Sequence, residues 1–136
     1  MDRSSLASKI QAANSALIAN GKLEAIGEFF AKDYVVHVTE QDRADGHDAI
    51  RGFLSAIQKA FSDLEIEVEI LVEGEDRVAW QRTLRGTQNG AFMGFPATGR
   101  RVVWRDMVAT RFRDGMIAEE WAITDLAEHL LRARKG

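Results

Sequence analysis

The stretch "RFRDGMIAEEWAITD", Arg111 to Asp125, holds the turn from which the strand pairing of this chain can be counted. Asp114-Gly115 is a two-residue hairpin signal, because both central residues of a type I′ turn need positive φ. Counting outward, Arg113 faces Met116, Phe112 faces Ile117, Thr110 faces Glu119, Val108 faces Trp121, Asp106 faces Ile123 and Trp104 faces Asp125. Facing residues point to the same side of a sheet. The count therefore predicts an inner face that mixes Trp104, Val108, Phe112, Ile117, Trp121 and Ile123 with three carboxylates, Asp106, Glu119 and Asp125. The outer face receives Arg105, Met107, Arg111 and Arg113 against Ala118, Glu120 and Thr124.

The chain before the hairpin changes period. "LEIEVEILVEG" alternates Leu64, Ile66, Val68, Ile70 and Val72 with Glu65, Glu67 and Glu69, the two-residue repeat of a strand with one acidic face. Further strands are predicted over 77–88, 100–113 and 116–124, and "DYVVHV" forms an earlier one. Apolar residues recur at helical spacing over residues 5–20, in "KLEAIGEFF" and in "HDAIRGFLSAIQKAF", and "DLAEHLLRAR" closes the chain as a helix. Ser4 or Ser5 caps the first of these, and "TEQDRADG" is a loop before the third. Helices lead and strands follow. That order predicts an α+β fold in which a curved antiparallel sheet wraps around the N-terminal helices as one domain, residues 1–136.

With 136 residues, 46% hydrophobic and 29% charged, and a formal net charge of -3, the composition is that of a globular domain with a real core. Basic residues are scattered among acidic ones, so no nucleic-acid surface is expected. The absence of cysteine removes thiolate chemistry and Cys-based metal sites. No signal peptide or membrane span is read at the N-terminus, so a cytoplasmic location and no membrane partner are expected. No metal-ligand motif, nucleophile elbow or phosphate-cradling loop occurs, and neither metal nor cofactor is expected.

Interior carboxylates need partners or a proton. Arg82 shares the face of Val78, Trp80 and Leu84 and can serve Asp106 or Glu119. Asp125, at the strand end opposite an indole, has two open readings. It is an acid–base group whose pKa an apolar wall raises, or it caps the last helix in the capping box "DLAE". In "NGAFMGFPATGR" the turn residues predict a loop, and its Phe92, Met93 and Phe95 either tuck onto the core or cover a pocket. His37, on the strand side of Val35, is a pocket candidate or a satisfied structural group.

The order "DYVVH", "GHDAIRGFLSAIQKAFSDL", "GTQNGAFMGFPATGRRV" and "RFRDGMIAEEWAITD" resembles the SnoaL-like polyketide cyclases, of the cone-shaped superfamily that includes ketosteroid isomerase, scytalone dehydratase and nuclear transport factor two. The resemblance implies a cone with a deep apolar pocket, a homodimer, and cofactor-independent ring closure by intramolecular aldol condensation on a small apolar carbonyl or ester compound. It also implies Asp125 as the catalytic residue, with Trp104, Trp121, His37, Gln88, Phe92, Met93, Phe95, Asp106 and Glu119 around the substrate. Many relatives carry histidine where this chain has Gln88. A non-catalytic carrier of small apolar molecules, or a sibling isomerase, dehydratase or epoxide hydrolase, would use the same fold.

Overall fold

A computed structural model describes residues 5–38 and 44–135. Helix α1 (Leu6–Asn14) is capped by Ser5, whose hydroxyl accepts from the Ser8 N–H, and it runs on through a wider turn, Ser15–Ala19. A 3₁₀ turn (Leu23–Ala25) leads into α2 (Ile26–Phe29) and β1 (Phe30–Val38), and a two-residue strand β2 (Ala44–Asp45) precedes α3 (Gly46–Ala60). Thr39 to Arg43, most of the expected loop, lie outside the described residues, as does Ser4. Strands β3 (Phe61–Glu73), β4 (Arg77–Gln88), β5 (Arg101–Arg113) and β6 (Met116–Thr124) follow, then α4 (Leu126–Lys135).

The six strands form one curved sheet in the order β2-β1-β6-β5-β4-β3. Its core is the concave side, where Ile10 of α1, Leu17 of the wider turn after it, and Leu54 and Ile57 of α3 meet Trp80, Leu84, Trp104 and Val108 of the sheet. The sheet is mixed rather than wholly antiparallel, because β1 runs parallel to β6. The four consecutive strands β3 to β6, joined as hairpins, must alternate in direction, whereas β1 reaches the sheet through a helical connection that leaves its direction free.

The Asp114-Gly115 turn is as expected, with φ of 53° and 77°. Phe112 faces Ile117, but Arg111 faces Glu119, so Ala118 is an extra residue in β6. Because side chains alternate with period two, this bulge turns every later residue of β6 over. Thr110 faces Glu120, Val108 faces Ala122 and Asp106 faces Thr124. Glu120, Ala122 and Thr124 therefore share the inner face with Asp106, Val108 and Thr110. Glu119, Trp121 and Ile123 stand outside, which corrects the register counted from the turn. Ile117 and Ala118 are both buried, at 2% each, as the bulge requires.

The other expected strand faces hold except at Val72, which follows a register shift after Ile70 and is 63% exposed. Trp104, Asp106, Val108, Thr110 and Phe112 are buried while their neighbours on β5 alternate outward. Glu65, Glu67 and Glu69 of β3 lie on the outer side, next to Arg101, Arg85 and Gln81.

Candidate functional site

Between α1, α3 and the concave face lies a cavity of about 230 Å³. Most of its wall is apolar, with Leu17, Ile50, Phe53, Trp104 and Ile117 among its lining residues. The loop after β4 reaches it through a miniature hairpin. Phe92 and Phe95 exchange both backbone hydrogen bonds across Met93 and Gly94, which take positive φ of 53° and 81°. Phe92 and Met93 line the cavity, whereas Phe95 packs on the core beside it. Both expectations for this loop thus apply, each to different residues.

Two polar groups interrupt the apolar wall. In the first, Arg82 Nε donates to Asp106 Oδ2 at 2.8 Å and Arg82 Nη1 donates to Asn14 Oδ1 at 3.0 Å. Asn14 in turn donates to the Ile10 carbonyl of its own helix, and the guanidinium lies 5.4 Å from the centre of the Trp80 ring. Asp106 Oδ1 is buried and has no hydrogen-bond partner among the described residues.

In the second, Glu120 accepts from the Tyr34 hydroxyl at 2.7 Å and from the Thr110 hydroxyl. Thr110 is held by the Trp80 indole N–H at 2.9 Å. Burial pushes the Glu120 carboxyl above the usual glutamate range, against the two hydrogen bonds and the Arg82 charge, which pull it down. Burial and the neighbouring Glu120 charge push the Tyr34 phenol far upward, so it stays a neutral donor. Arg82, Asp106, Tyr34, Asn14 and Glu120 all line the cavity. The arrangement can present a proton-exchanging carboxyl and a fixed cation to one small molecule.

Of the residues singled out in the sequence, Trp104, Asp106, Phe92 and Met93 are at this cavity. Trp121, Glu119 and His37 are not. They form an outer cluster in which the His37 ring stacks on Trp121 and meets Glu119 at 2.8 Å, while Arg111 binds the other oxygen of Glu119. His37 and Arg111 hold the Glu119 carboxyl below its usual range.

Gln88 is fully buried but braces the loop from behind. Its Oε1 accepts from the Thr98 hydroxyl at 3.0 Å, and its Nε2 donates to the Pro96 carbonyl at 3.2 Å.

Asp125 sits between two cavity-lining residues, Thr124 and Leu126, without lining the cavity itself. Its Oδ1 accepts from the Arg105 N–H at 2.8 Å and its Oδ2 meets His129 Nε2 at 3.1 Å. The carboxylate therefore ties the end of β5 to α4. The capping box is not formed, since Glu128 pairs with Arg132.

Glu120, Tyr34, Thr110 and Asn14 were not identified from the sequence. Once the Ala118 bulge is known, Glu120 follows by alternation. Without it, "AEEW" offers two adjacent glutamates and no means of choosing between them. Among the described residues no helix is long and apolar enough to cross a membrane, and no three His, Asp or Glu side chains converge as metal ligands.

The family model of the SnoaL-like polyketide cyclases matches residues 8–132. Similar solved structures include wild-type IdmH of Streptomyces antibioticus, a proposed polyketide cyclase. It is 30% identical with a TM-score of 0.80, over 96% of this chain and 99% of that one. AclR of Streptomyces galilaeus, a proposed hydroxylase, is 32% identical with a TM-score of 0.75, over 96% of this chain and 94% of that one. A proposed SnoaL-like polyketide cyclase of Jannaschia sp. CCS1 is 26% identical with a TM-score of 0.75, over 94% and 93% of the two chains. No curated protein matches.

Proposed function

The chain belongs to the SnoaL-like polyketide cyclase family, and from that premise we propose that its cavity takes a small, mostly apolar carbonyl compound and closes a ring in it by acid–base catalysis. Glu120 is the acid–base group of this reading. Its carboxylate removes a proton from a carbon next to a carbonyl. The enolate carbon attacks a second carbonyl of the same molecule, and the Glu120 carboxyl returns the proton to the resulting alkoxide. Arg82 supplies a fixed positive charge near the enolate oxygen, and the enclosed wall strengthens its effect. The observation that carries the reading is a cavity-lining carboxyl whose proton affinity burial raises toward the working range of a general base. The catalytic role expected for Asp125 passes to Glu120, because Glu120 lines the cavity and Asp125 does not.

The half-reaction can be followed without the natural substrate. The two-ring ketone 2-tetralone exchanges its acidic C–H protons in D₂O, and NMR reads the rate. The protein should accelerate the exchange, and Glu120→Gln should remove about a hundred- to ten-thousand-fold of that acceleration. Exchange that is unchanged in Glu120→Gln would remove Glu120 from the mechanism. AclR, at 32% identity, is a proposed hydroxylase, so a protein that binds such ketones without accelerating exchange would point to another reaction in the same cavity.

A homodimer through the outer sheet face accompanies this reading. Leu71, Met107, Trp121 and Ile123 are exposed there, from 37% to 65%. Attraction between the acidic β3 face and the arginine-bearing strands of a partner contributes less, because Glu65 and Glu67 are already paired with arginines of the same chain. The apolar side chains supply the contact instead.

A further inference from the structure

The unpartnered oxygen of Asp106 specifies something about the ligand that the acid–base reading leaves open. Asp106 is 5% exposed, and its Oδ1 is the only buried side-chain polar atom without a hydrogen-bond partner among the described residues. The hydrogen bonds made by the polar groups that share this end of the cavity go to other partners. Arg82 uses Nε on the other carboxylate oxygen and Nη1 on Asn14, and the Asn14 amide N–H is held by Ile10. The Tyr34 and Thr110 hydroxyls point to Glu120, and the Trp80 indole N–H to Thr110. A buried carboxylate oxygen left in this state is unfavourable, and native interiors rarely leave one so. Asp106 lines the cavity, so a bound molecule can complete it.

We infer that the Arg82–Asp106 end of the cavity is a subsite for a hydroxyl group, and that the ligand is a one- or two-ring aromatic compound bearing a phenol or enol O–H that donates to Asp106 Oδ1. An ether, an ester oxygen or a bare hydrocarbon at that place would leave the oxygen unpaired. Sites built to hydrogen-bond a hydroxyl reject the analogue lacking it far more strongly than apolar pockets reject a change in size. The ring count follows from volume. A dry apolar cavity of about 150 Å³ holds benzene, and this one, at about 230 Å³, has room for a second fused ring but not for a four-ring system. The inference rests on the proposed ligand-binding role of the cavity and adds the chemical class of what fills it.

Isothermal titration calorimetry with 2-naphthol, 2-methoxynaphthalene and naphthalene tests it. Wild type should bind 2-naphthol about ten- to a hundredfold more tightly than either analogue, as expected for a hydrogen bond to a charged acceptor. In Asp106→Asn an N–H can stand where Oδ1 stood, and the preference should vanish or pass to the methoxy compound. A crystal structure of wild type with 2-naphthol should place the phenol oxygen about 2.5–2.7 Å from Oδ1, and this readout stands even if Asp106→Asn does not fold. Equal affinity for all three probes, or a phenol oxygen bound elsewhere, overturns the subsite and leaves the cavity reading intact. Failure of every probe to bind overturns both.

Discussion

Glu119 and Glu120 are neighbours in the chain whose proton affinities are shifted in opposite directions on opposite faces of one sheet. Burial raises the proton affinity of Glu120, and His37 and Arg111 lower that of Glu119. The stability contributed by Glu120 is thus complete below the ordinary glutamate value of 4.5 and is lost as pH rises through its raised folded value. That of Glu119 is complete above 4.5 and is lost as pH falls through its lowered value. Urea unfolding midpoints followed from about pH 3 to 8 should separate them. Glu120→Gln should gain on wild type as pH climbs, and Glu119→Gln should trail wild type at neutral pH and converge with it in acid. Parallel pH profiles for the two variants would contradict the opposed environments.

The tryptophans report the same division. Trp80 and Trp104 line the cavity, while Trp121 stands outside beneath the Arg77 guanidinium. A non-fluorescent cavity ligand should therefore change the indole emission of Trp121→Phe as it does that of wild type, and Trp104→Phe should lose part of the response. A response lost only in Trp121→Phe would place the ligand on the outer face.

How much of this was legible in the sequence depends on the range of the signal. Period and turn chemistry are local, so "LEIEVEIL" gave a strand with its glutamates outward, and Asp114-Gly115 gave a turn at the right residues. The inner residues of β5 were also legible, Trp104 and Asp106 among them. The Ala118 bulge was not, because one inserted residue leaves the apolar count of "MIAEEWAIT" unchanged while reversing which glutamate faces inward. Trp121 and Ile123 looked like core by size alone, and their exposure is explained only by the bulge. The family resemblance sets Gln88 among the pocket groups, and nothing local reveals that its amide is used on Thr98 and Pro96 ten and eight residues later.

The exposed outer residues make assembly testable. Light scattering should give wild type the mass of two chains at micromolar concentration. Ile123→Lys, at a position 65% exposed, should shift the mass toward one chain without lowering the melting temperature by more than a few degrees. A wild type that is monomeric at these concentrations ends the dimer proposal.

Gln88 predicts a link between loop order and ligand affinity. Gln88→Leu keeps the volume of the buried side chain but deserts the Thr98 hydroxyl and the Pro96 carbonyl. A loss of about 1–3 kcal/mol is expected, with faster hydrogen exchange over residues 89–100 and weaker binding of aromatic probes, because Met93 and Phe92 reach the cavity from this loop. Unchanged exchange in the loop would mean that Gln88 does not hold it.

Asp125→Asn separates an anchoring role from a catalytic one. The asparagine carbonyl can still accept from the Arg105 N–H, and its amide stays within reach of the His129 ring. The variant should therefore fold, lose little stability and keep its affinity for cavity ligands. Asp125→Ala removes both contacts and frees the end of β5 from α4, with a loss of about 1–2 kcal/mol expected from two partly exposed hydrogen bonds. If Glu120 carries the proton, Asp125→Asn should catalyse 2-tetralone exchange within a few-fold of wild type, while Glu120→Gln does not. The reverse pattern, with Asp125→Asn inactive but stable and ligand-bound, would return the acid–base role to Asp125. It would also require the Asp125 carboxyl to reach the cavity, which it does not line in this arrangement.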